Sequence, residues 1–278
     1  MQSPTVCSPE DFSIYARPAL VVAHPGHELR VFGWLSRNKP RVYVITDGSA
    51  QGGGYRIRSS AQLLRALGSD VDDVFGTMTD ADIYRAILER DVPVFEAILD
   101  ALASSFAKNA IDFVAGDAIE GFNPTHDLCR ALVNAAVLMA ERAISREISN
   151  YEFRLTEWEQ NGAECHDAEC VHLRLEDEVL DRKLSAAQNY NELRDEVQQA
   201  IARKGKEYFR LECLRKVTVP FPERLYEGKP YYEAWGEQRV AQGKYESVIR
   251  YSEHVRPIME AMRERAIAAS KRAVPARC

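Results

Sequence analysis

Short apolar runs alternate with longer segments of helical periodicity in the first half of the chain. The strand-like runs are 19–23, 41–46, 71–75 and 111–115. The segments with apolar residues at helical spacing are 28–36, 59–67, 92–107 and 127–145. Alternation of this kind is typical of parallel strands joined by crossover helices. The pattern predicts an α/β fold, with a Rossmann-like, mostly parallel sheet flanked by helices.

The pattern changes after residue 150. We expect an edge strand over 150–155, and an acidic, aperiodic surface excursion over 157–177. Residues 178–216 have a charged helical pattern, and a last helix is expected over 248–269. We interpret the chain as a single α/β domain over 1–278. Its core spans 18–155, and 156–278 form the excursion and a helical C-terminal extension.

Composition and charge narrow the choice of partner. The chain has 278 residues, 46% of them hydrophobic, and a net charge of -6. No basic field favours nucleic acid or an anionic membrane, so a small-molecule substrate is expected. No apolar run approaches the roughly 18 residues of a membrane span, and the first residues lack a leader pattern, which predicts a cytoplasmic protein. The six irregularly spaced cysteines are expected to be reduced thiols.

The strongest chemical signal is the segment His24-Pro25-Gly26-His27-Glu28, where a buried strand ends and a helix begins. In open α/β sheets such junctions line the functional crevice. Two histidines three residues apart can direct both imidazoles at one metal ion, whereas the plainer alternative is a turn histidine and a helix-start histidine without a ligand.

A third histidine strengthens the metal interpretation. His126 stands at the same kind of junction, between the strand-like IDFVAGD and the helical DLCRALVNAAV. Three histidines and an open fourth position are typical of catalytic zinc, and Fe²⁺ also accepts imidazoles. The sequence therefore predicts one Zn²⁺ per chain at His24, His27 and His126, with iron as the alternative.

These residues carry a family resemblance. VVAHPGHE resembles the AHPDDE motif of the PIG-L/LmbE-like N-deacetylases, and GFNPTHD resembles their later histidine motif. Asp47-Gly48 resembles the family's Thr-x-Gly turn, and ALGSDVDDVFG resembles its LG segment. The similarity covers roughly residues 18–135. It implies a Rossmann-like fold and zinc-dependent removal of an acetyl group from an amino sugar.

The resemblance also assigns positions. It places the family's first histidine ligand on His24, its carboxylate ligand on His27 and its later histidine ligand on His126. Gly26 occupies the position of the aspartate that acts as general base in the family, and glycine cannot do that work. Asn123 stands near a second family histidine that assists the oxyanion or the leaving amine, so Asn123 is a candidate substrate-binding residue.

A base must then come from elsewhere in the crevice. Asp47 and Glu120 are the leading candidates, and Asp117 and Asp127 are others; each can also serve as a partner that fixes a histidine tautomer. The alternative roles are a turn residue for Asp47, a helix-dipole acid for Asp127 and a solvated side chain for Glu120.

Three further features bear on ligands. The glycine-rich segment 52–58 is a lid or cradle in which Arg56 or Arg58 binds substrate, or else a surface loop. The segment 165–172 offers Cys and His ligands for a second metal, although its spacing matches no standard zinc module. The aromatic residues Tyr231, Tyr232 and Trp235, with His254, wall a substrate pocket, or form helix-packing or homo-oligomer contacts.

Three functional hypotheses follow. The first is a metal-dependent hydrolase that removes an acyl group from an N-acylated amino sugar or a related metabolite. The second is different metal chemistry, including redox chemistry, on the same scaffold. The third is a non-catalytic metabolite-binding protein, which Gly26 favours and the histidine set disfavours.

Overall fold

A computed structural model describes residues 17–49, 56–156 and 170–272, with backbone only for the last three. Seven strands form one sheet in the order β3-β2-β1-β4-β5-β7-β6. The strands are β1 (Pro18–Val22), β2 (Arg41–Thr46), β3 (Val71–Met78), β4 (Phe113–Asp117), β5 (Ser149–Phe153), β6 (Cys170–Arg174) and β7 (Leu211–Lys216). The described helices are α1 (Phe32–Asn38), α2 (Arg56–Leu67), α3 (Asp80–Glu89), α4 (Val92–Lys108), α5 (Pro124–Ile144), α6 (Asp177–Asn189), α7 (Arg194–Lys204), α8 (Tyr231–Ala241) and α9 (Arg256–Arg272).

The first five strands of the sheet are parallel. β1 pairs with β2 on one side and with β4 on the other, and β5 continues the parallel sheet beyond β4. β7 then pairs antiparallel with both β5 and β6. The predicted α/β fold with a mostly parallel sheet is confirmed, although the C-terminal extension is not purely helical, because it supplies two strands.

Alternation along the buried strands divides the core into two layers. Ala19 and Val21 pack with α4, α5 and α9 on one face of the sheet. Leu20 and Val22 pack with α1 and part of α2 on the other. Because successive side chains of a strand point to opposite faces, a strand covered by helices on both sides is continuously apolar. This explains why PALVV is entirely buried.

Several predicted elements differ from the structure. The segment 150–155 is not an edge strand, because β5 lies between β4 and β7. The last part of the predicted helical region is the strand β7, where the side chain of Glu212 is buried against Lys183. The sequence pattern does not predict the helices α3 and α8 or the strand β6, and the last helix begins with a π-helical turn, Tyr251–Val255.

The cysteines also differ from expectation. Cys170 is disulfide-bonded, whereas Cys129 and Cys213 are free. The expectation that all thiols are reduced is therefore wrong for Cys170. A disulfide sulfur is not a thiolate ligand, so Cys170 cannot serve the second metal site as predicted; Cys165 and His166 of that site lie outside the described residues.

None of the described helices is both long enough and apolar enough to cross a membrane.

Candidate metal centre

The three histidines come together because their strands are neighbours. β1 ends at Val22, and the turn that follows carries His24 and leads to His27 at the start of a short 3-10 helix. β4 lies beside β1 in parallel and ends at Asp117, after which a loop leads to His126 in the first turn of α5. The carboxyl ends of both strands therefore deliver imidazoles to one edge of the sheet.

The imidazole rings contact one another in all three pairs. The ring centroids of His24 and His27 are 5.4 Å apart, those of His24 and His126 are 5.1 Å apart, and those of His27 and His126 are 4.6 Å apart. The rings lie edge to face, with interplanar angles of 67–85°. The structure therefore brings together the three residues that the sequence pattern selects from a total of six histidines.

Two carboxylates support two of these rings. Nδ1 of His24 lies 2.7 Å from Oγ1 of Thr46 and 3.1 Å from Oδ1 of Asp80. Nδ1 of His27 lies 2.9 Å from Oδ2 of Asp117. An ionised carboxylate only accepts hydrogen bonds, so each Nδ1 donates and each Nε2 keeps its lone pair. Carboxylate–histidine pairs of this kind orient metal ligands and fix their tautomer.

Burial favours the neutral imidazole, the form that binds metals, in His24 and His126. Burial lowers the pKa of His24, although the hydrogen bond to Asp80 offsets part of the effect. Burial also lowers the pKa of His126 well below its ordinary value, and the proximity of His27 and His24 lowers it further. The neutral imidazole is the form that binds metals.

Two buried nitrogen atoms without a hydrogen-bond partner indicate whether a metal fits this cluster. Nε2 of His24 and Nδ1 of His126 are buried without a hydrogen-bond partner among the described residues. Buried polar atoms without partners are costly, and a bound ion is one of the few explanations for them. The donor set therefore suits a divalent metal. As the side chains stand, however, no group of three or more His, Cys, Asp or Glu in the described part of the chain is arranged to hold an ion.

The turn at Gly26 explains why this position has no room for a base. Gly26 has φ 104°, a left-handed conformation that favours glycine. A Cβ at this position would lie 2.6 Å from Cδ1 of Leu193 and 3.9 Å from Cζ of Tyr190. Leu193 belongs to the segment between α6 and α7, so the C-terminal extension fills the space that a side chain at position 26 would need.

Polar contacts fix the same segment against the turn. Oε2 of Glu28 accepts a hydrogen bond from the Gly26 N–H at 2.7 Å, and its other oxygen accepts one from the Ser60 hydroxyl. The Ser60 hydroxyl also lies 2.8 Å from the hydroxyl of Tyr190, which donates to the Arg56 carbonyl. Glu28 is fully buried, and burial raises its pKa. Its role is thus to join the histidine turn to α2 and to the extension.

Asp127 performs a similar task beside His126. Its Oδ1 accepts hydrogen bonds from the Glu120 and Gly121 N–H groups, and its Oδ2 accepts one from the Tyr226 hydroxyl. Burial raises the pKa of Asp127 to about 6. Asp127 therefore fixes the loop between β4 and α5 to the segment that contains Tyr226.

The two leading base candidates have very different surroundings. Both carboxylate oxygens of Glu120 are occupied, by the Leu155 and Thr156 N–H groups, the Thr156 hydroxyl and the Arg154 guanidinium. Its side chain is buried, which does not fit the solvated alternative. Asp47 is half-buried and follows Thr46, which contacts His24. Oδ1 of Asp47 accepts a hydrogen bond from the Ser49 N–H at 3.0 Å, so the turn that the sequence suggests is present.

The three candidate substrate-binding residues, Arg56, Arg58 and Asn123, also differ in their surroundings. Arg56 packs against Gly48, which in turn adjoins Pro25 of the histidine turn. The guanidinium of Arg56 lies 4.0 Å from the carboxylate of Glu196 on α7. Arg58 is exposed. Asn123 is the N-cap of α5, accepts a hydrogen bond from the Thr125 N–H and donates one to the Tyr84 hydroxyl at 3.1 Å. Arg56 and Arg58 lie in the first turn of α2 and not in a loop, which corrects that part of the predicted cradle, and Gly52–Gly54 lie outside the described residues.

Sequence reasoning misses Asp80 and Leu193. Asp80 begins α3 after the N-cap residue Thr79, whose side chain accepts a hydrogen bond from the Asp82 N–H. The pair Thr79-Asp80 after β3 is typical of a helix N-terminus. Because the sequence pattern ends this strand at residue 75, it assigns the pair to a loop. Leu193 is distant in sequence from Gly26, and nothing local indicates their contact.

The surface also carries a hollow of about 460 Å³ lined by Leu138, Glu141, Arg142, Ser145, Arg146 and Glu147. These residues lie near the end of α5 that is opposite His126. With a rise of 1.5 Å per residue, Glu141 is about 22 Å along the helix from His126. The hollow is thus separate from the histidine cluster.

Comparison with known proteins gives structural similarity only. No family model matches the chain, and no curated protein matches it. Among solved structures, the A40926 pseudoaglycone deacetylase Dbv21 has a TM-score of 0.49 and 17% identity, covering 75% of this chain and 99% of its own. A triple mutant of a deacetylase from the teicoplanin biosynthetic pathway has a TM-score of 0.47 and 15% identity, covering 72% and 97%. The zinc-inhibited form of the teicoplanin deacetylase Orf2 has a TM-score of 0.41 and 12% identity, covering 71% and 97%. Similarity at this level assigns neither a family nor an activity to this chain.

Proposed function

We propose that this protein is a metal-dependent hydrolase that removes an acyl group, such as acetyl, from an N-acylated amino sugar or a related metabolite. The residues that would hold the metal, Zn²⁺ or alternatively Fe²⁺, are His24, His27 and His126. The observation that carries the proposal is the meeting of three imidazoles, two of them with orphaned buried nitrogens, at the carboxyl ends of β1 and β4.

The choice of reaction combines this geometry with the sequence motifs. A divalent metal held by the three histidines would supply Lewis acidity toward a carbonyl and would lower the pKa of bound water. Asp80 and Asp117 hold the Nδ1 protons of His24 and His27, so that Nε2 of each ring is available as a ligand. The acetyl group and the amino sugar come from the resemblance of AHPGHE and GFNPTHD to the deacetylase motifs.

Proton transfer is assigned to Asp47 rather than Glu120. Amide hydrolysis needs a group that takes a proton from water and delivers one to the departing amine. Asp47 is half-buried next to Thr46, and only its Oδ1 is bound by the Ser49 N–H among the hydrogen bonds of the described residues. Glu120 is buried, and both of its carboxylate oxygens are already occupied by hydrogen bonds from four donor groups. Arg56, which packs near Pro25, is the better placed of the two arginines for binding a polar group of the substrate.

Elemental analysis of the purified protein tests the metal first. We expect about one equivalent of zinc per chain in the wild type and its loss in His126→Ala. His172→Ala is the matched control, because His172 lies on β6, outside the cluster, and this variant should retain the metal. Absence of metal from the wild type, including after incubation with zinc, would overturn the proposed centre.

Release of free amine from N-acetylglucosamine glycosides tests the reaction. The zinc-loaded wild type should release amine, His126→Ala should not, and Asp47→Asn should lose most of kcat while keeping its zinc. Zinc binding without amine release from any N-acylated sugar would reject the hydrolase and leave a metal protein of different chemistry.

A second candidate function is metal or metabolite binding without amide hydrolysis. The contact of Leu193 with Gly26 favours it, because the extension fills the space of the base found in the deacetylases that the motifs resemble. Metal content separates the alternatives: iron favours redox chemistry, and a metal-free wild type favours metabolite binding.

A further inference from the structure

A hydrogen bond links the helix that supports His24 to the helix that carries His126. Asp80, whose Oδ1 lies 3.1 Å from Nδ1 of His24, is the first residue of α3. Tyr84 follows it by four residues and therefore lies on the same face of the helix. The hydroxyl of Tyr84 lies 3.1 Å from Nδ2 of Asn123, the N-cap of α5. His126 follows in the first turn of α5.

The side-chain amide of Asn123 is held at both ends. Its Oδ1 accepts a hydrogen bond from the Thr125 N–H at 2.8 Å, and its Nδ2 donates to the Tyr84 hydroxyl. Burial raises the pKa of Tyr84 to about 12, although the hydrogen bond from Asn123 offsets part of the effect, so this hydroxyl is neutral at physiological pH. The protein itself therefore orients the amide, without a substrate.

The link joins helices that follow distant strands of the sheet. α3 follows the edge strand β3, whereas α5 follows β4, and β2 and β1 lie between these two strands. The contacts form a closed ring that runs from His24 through Asp80, Tyr84 and Asn123 to His126. It returns through the imidazoles of His126 and His24, whose centroids are 5.1 Å apart. Hydrogen bonds therefore fix the two histidines relative to each other in addition to the sheet.

We propose that Tyr84 and Asn123 are positioning residues that fix the separation of His24 and His126 for a shared divalent metal ion. The inference rests on the proposed function only in that these histidines hold the metal. It gives Asn123 a role at the centre that differs from the substrate binding that the sequence predicts. Metal ligands bind tightly only when they are held close to the geometry that the ion requires, and outer hydrogen bonds supply that precision.

The alternative is a separate structural role for each residue. The ring of Tyr84 packs against the apolar core on the side of α4 and α5, and the side chain of Asn123 caps α5. Two substitutions keep these roles and remove only the link. Tyr84→Phe keeps the ring. Asn123→Ser keeps a favoured N-cap residue but has no amide nitrogen to donate to the Tyr84 hydroxyl.

Zinc affinity and the visible spectrum of the cobalt-substituted protein test the pair. Each single variant should bind zinc about 3- to 10-fold more weakly in competition with a chromophoric chelator, which is the effect of one neutral hydrogen bond. The double variant should be no weaker than the single variants, because the two residues act through the same bond. Both single variants should also shift the absorption bands of bound Co²⁺, which report its coordination geometry.

Tyr43→Phe is the matched control. The Tyr43 hydroxyl lies 2.9 Å from Oγ of Ser105 in the last turn of α4, so this variant loses the same kind of bond. Ser105 also donates to Asp72 at the amino end of β3, whereas the histidines follow the carboxyl ends of their strands. Tyr43→Phe should therefore lower stability without changing zinc affinity or the cobalt spectrum.

Each result decides the proposal. A zinc affinity or a cobalt spectrum that matches the wild type in both single variants overturns it and leaves the proposed function standing. An equal loss of affinity in Tyr43→Phe, or additive losses in the double variant, also overturns it. A wild type that binds no zinc overturns both the pair and the metal centre. Non-additive losses of affinity with shifted cobalt spectra, in a protein that releases no amine from any N-acetyl glycoside, establish the pair and reject the hydrolase.

Discussion

Asp80 and Asp117 orient two of the three imidazoles of the histidine cluster. Each carboxylate accepts from the Nδ1 of one imidazole, and Oδ2 of Asp117 also accepts the Ala23 N–H at 2.8 Å. Replacing Asp117 with Asn should lower zinc affinity by about 10- to 100-fold, because the neutral amide orients His27 less firmly and makes it a weaker donor. Competition with a chromophoric chelator measures the affinity.

Asp181→Asn is the matched control for this substitution, since Asp181 is exposed on α6 and should leave zinc affinity unchanged. An Asp117→Asn variant that folds normally and binds zinc as tightly as the wild type would remove the carboxylate–histidine pair from the description of the site.

Substitution of Gly26 gives a second prediction, which separates the cost of the left-handed backbone from the cost of the steric clash with Leu193. Both Gly26 and Gly243 have positive φ, 104° and 67°, but a Cβ at Gly243 would meet nothing within 4 Å. Gly243→Ala should therefore cost only the conformational term, about 1–3 kcal/mol of the free energy of unfolding. Gly26→Ala should cost about 1–3 kcal/mol more, because its Cβ meets Leu193.

Chemical denaturation of four variants measures these terms. Adding Leu193→Ala to Gly26→Ala should recover the additional cost, after allowance for Leu193→Ala alone. Equal costs at Gly26 and Gly243 would show that the extension does not confine the histidine turn.

At the scale of elements, the ion pair between Lys183 on α6 and Glu212 on β7 joins the extension to the core. Nζ of Lys183 lies 2.8 Å from Oε1 of Glu212, and both side chains are almost fully buried. The Glu212 carboxylate also accepts the N–H groups of Gly33 and Trp34 at the start of α1. Lys183→Met should lower the free energy of unfolding by about 3–5 kcal/mol, because it leaves a buried carboxylate without its cation.

Lys206→Met is the control, since Lys206 forms an exposed pair with Asp181 at 3.9 Å and should change stability by less than about 1 kcal/mol. Urea unfolding followed by circular dichroism compares the two. Similar small effects for both would mean that the buried pair contributes little to holding the extension.

The same pair shows why the sequence predicts some elements and misses others. The pattern predicts β2 with its observed bounds, Arg41–Thr46, because a strand covered on both faces is an unbroken apolar run. It assigns β7 to a helix, because the sequence LECLRK places a charged residue where the core lies. Glu212 is tolerated there through Lys183, which is 29 residues away, and no local pattern reports such a partner.

The candidate site likewise has a part that the sequence predicts and a part that it does not. His24, His27 and His126 follow buried strands, so the strand pattern and a short motif are sufficient to predict that they meet. Leu193 and the stacking of Tyr231 on Phe122 depend on where the extension packs. Packing of this kind is decided by contacts between distant segments, which the sequence pattern does not encode.

At the scale of the whole molecule, the proposed metal centre should be linked to folding. The three histidines come from segments 102 residues apart along the chain, since His24 and His126 follow different strands. They are held together only in the folded protein. Zinc that binds the folded state and not the unfolded one should therefore stabilise the whole domain, by about 2.7 kcal/mol at a free concentration 100 times the dissociation constant.

Thermal unfolding measured with zinc and after treatment with a chelator tests this linkage. A stabilisation of that size should raise the Tm by roughly 5–11 °C in a domain of this length, on the basis of about 2–4 °C for each kcal/mol. His126→Ala should lose the shift, because two imidazoles hold the ion far less tightly than three, whereas His172→Ala on β6 should keep it. A zinc-induced shift of equal size in His126→Ala would place the stabilising ion elsewhere on the chain. Since Gly26, Leu193 and Glu28 join the histidine turn to the extension, the shift should also appear in probes of α6 and α7 at the same temperature as in probes of the core.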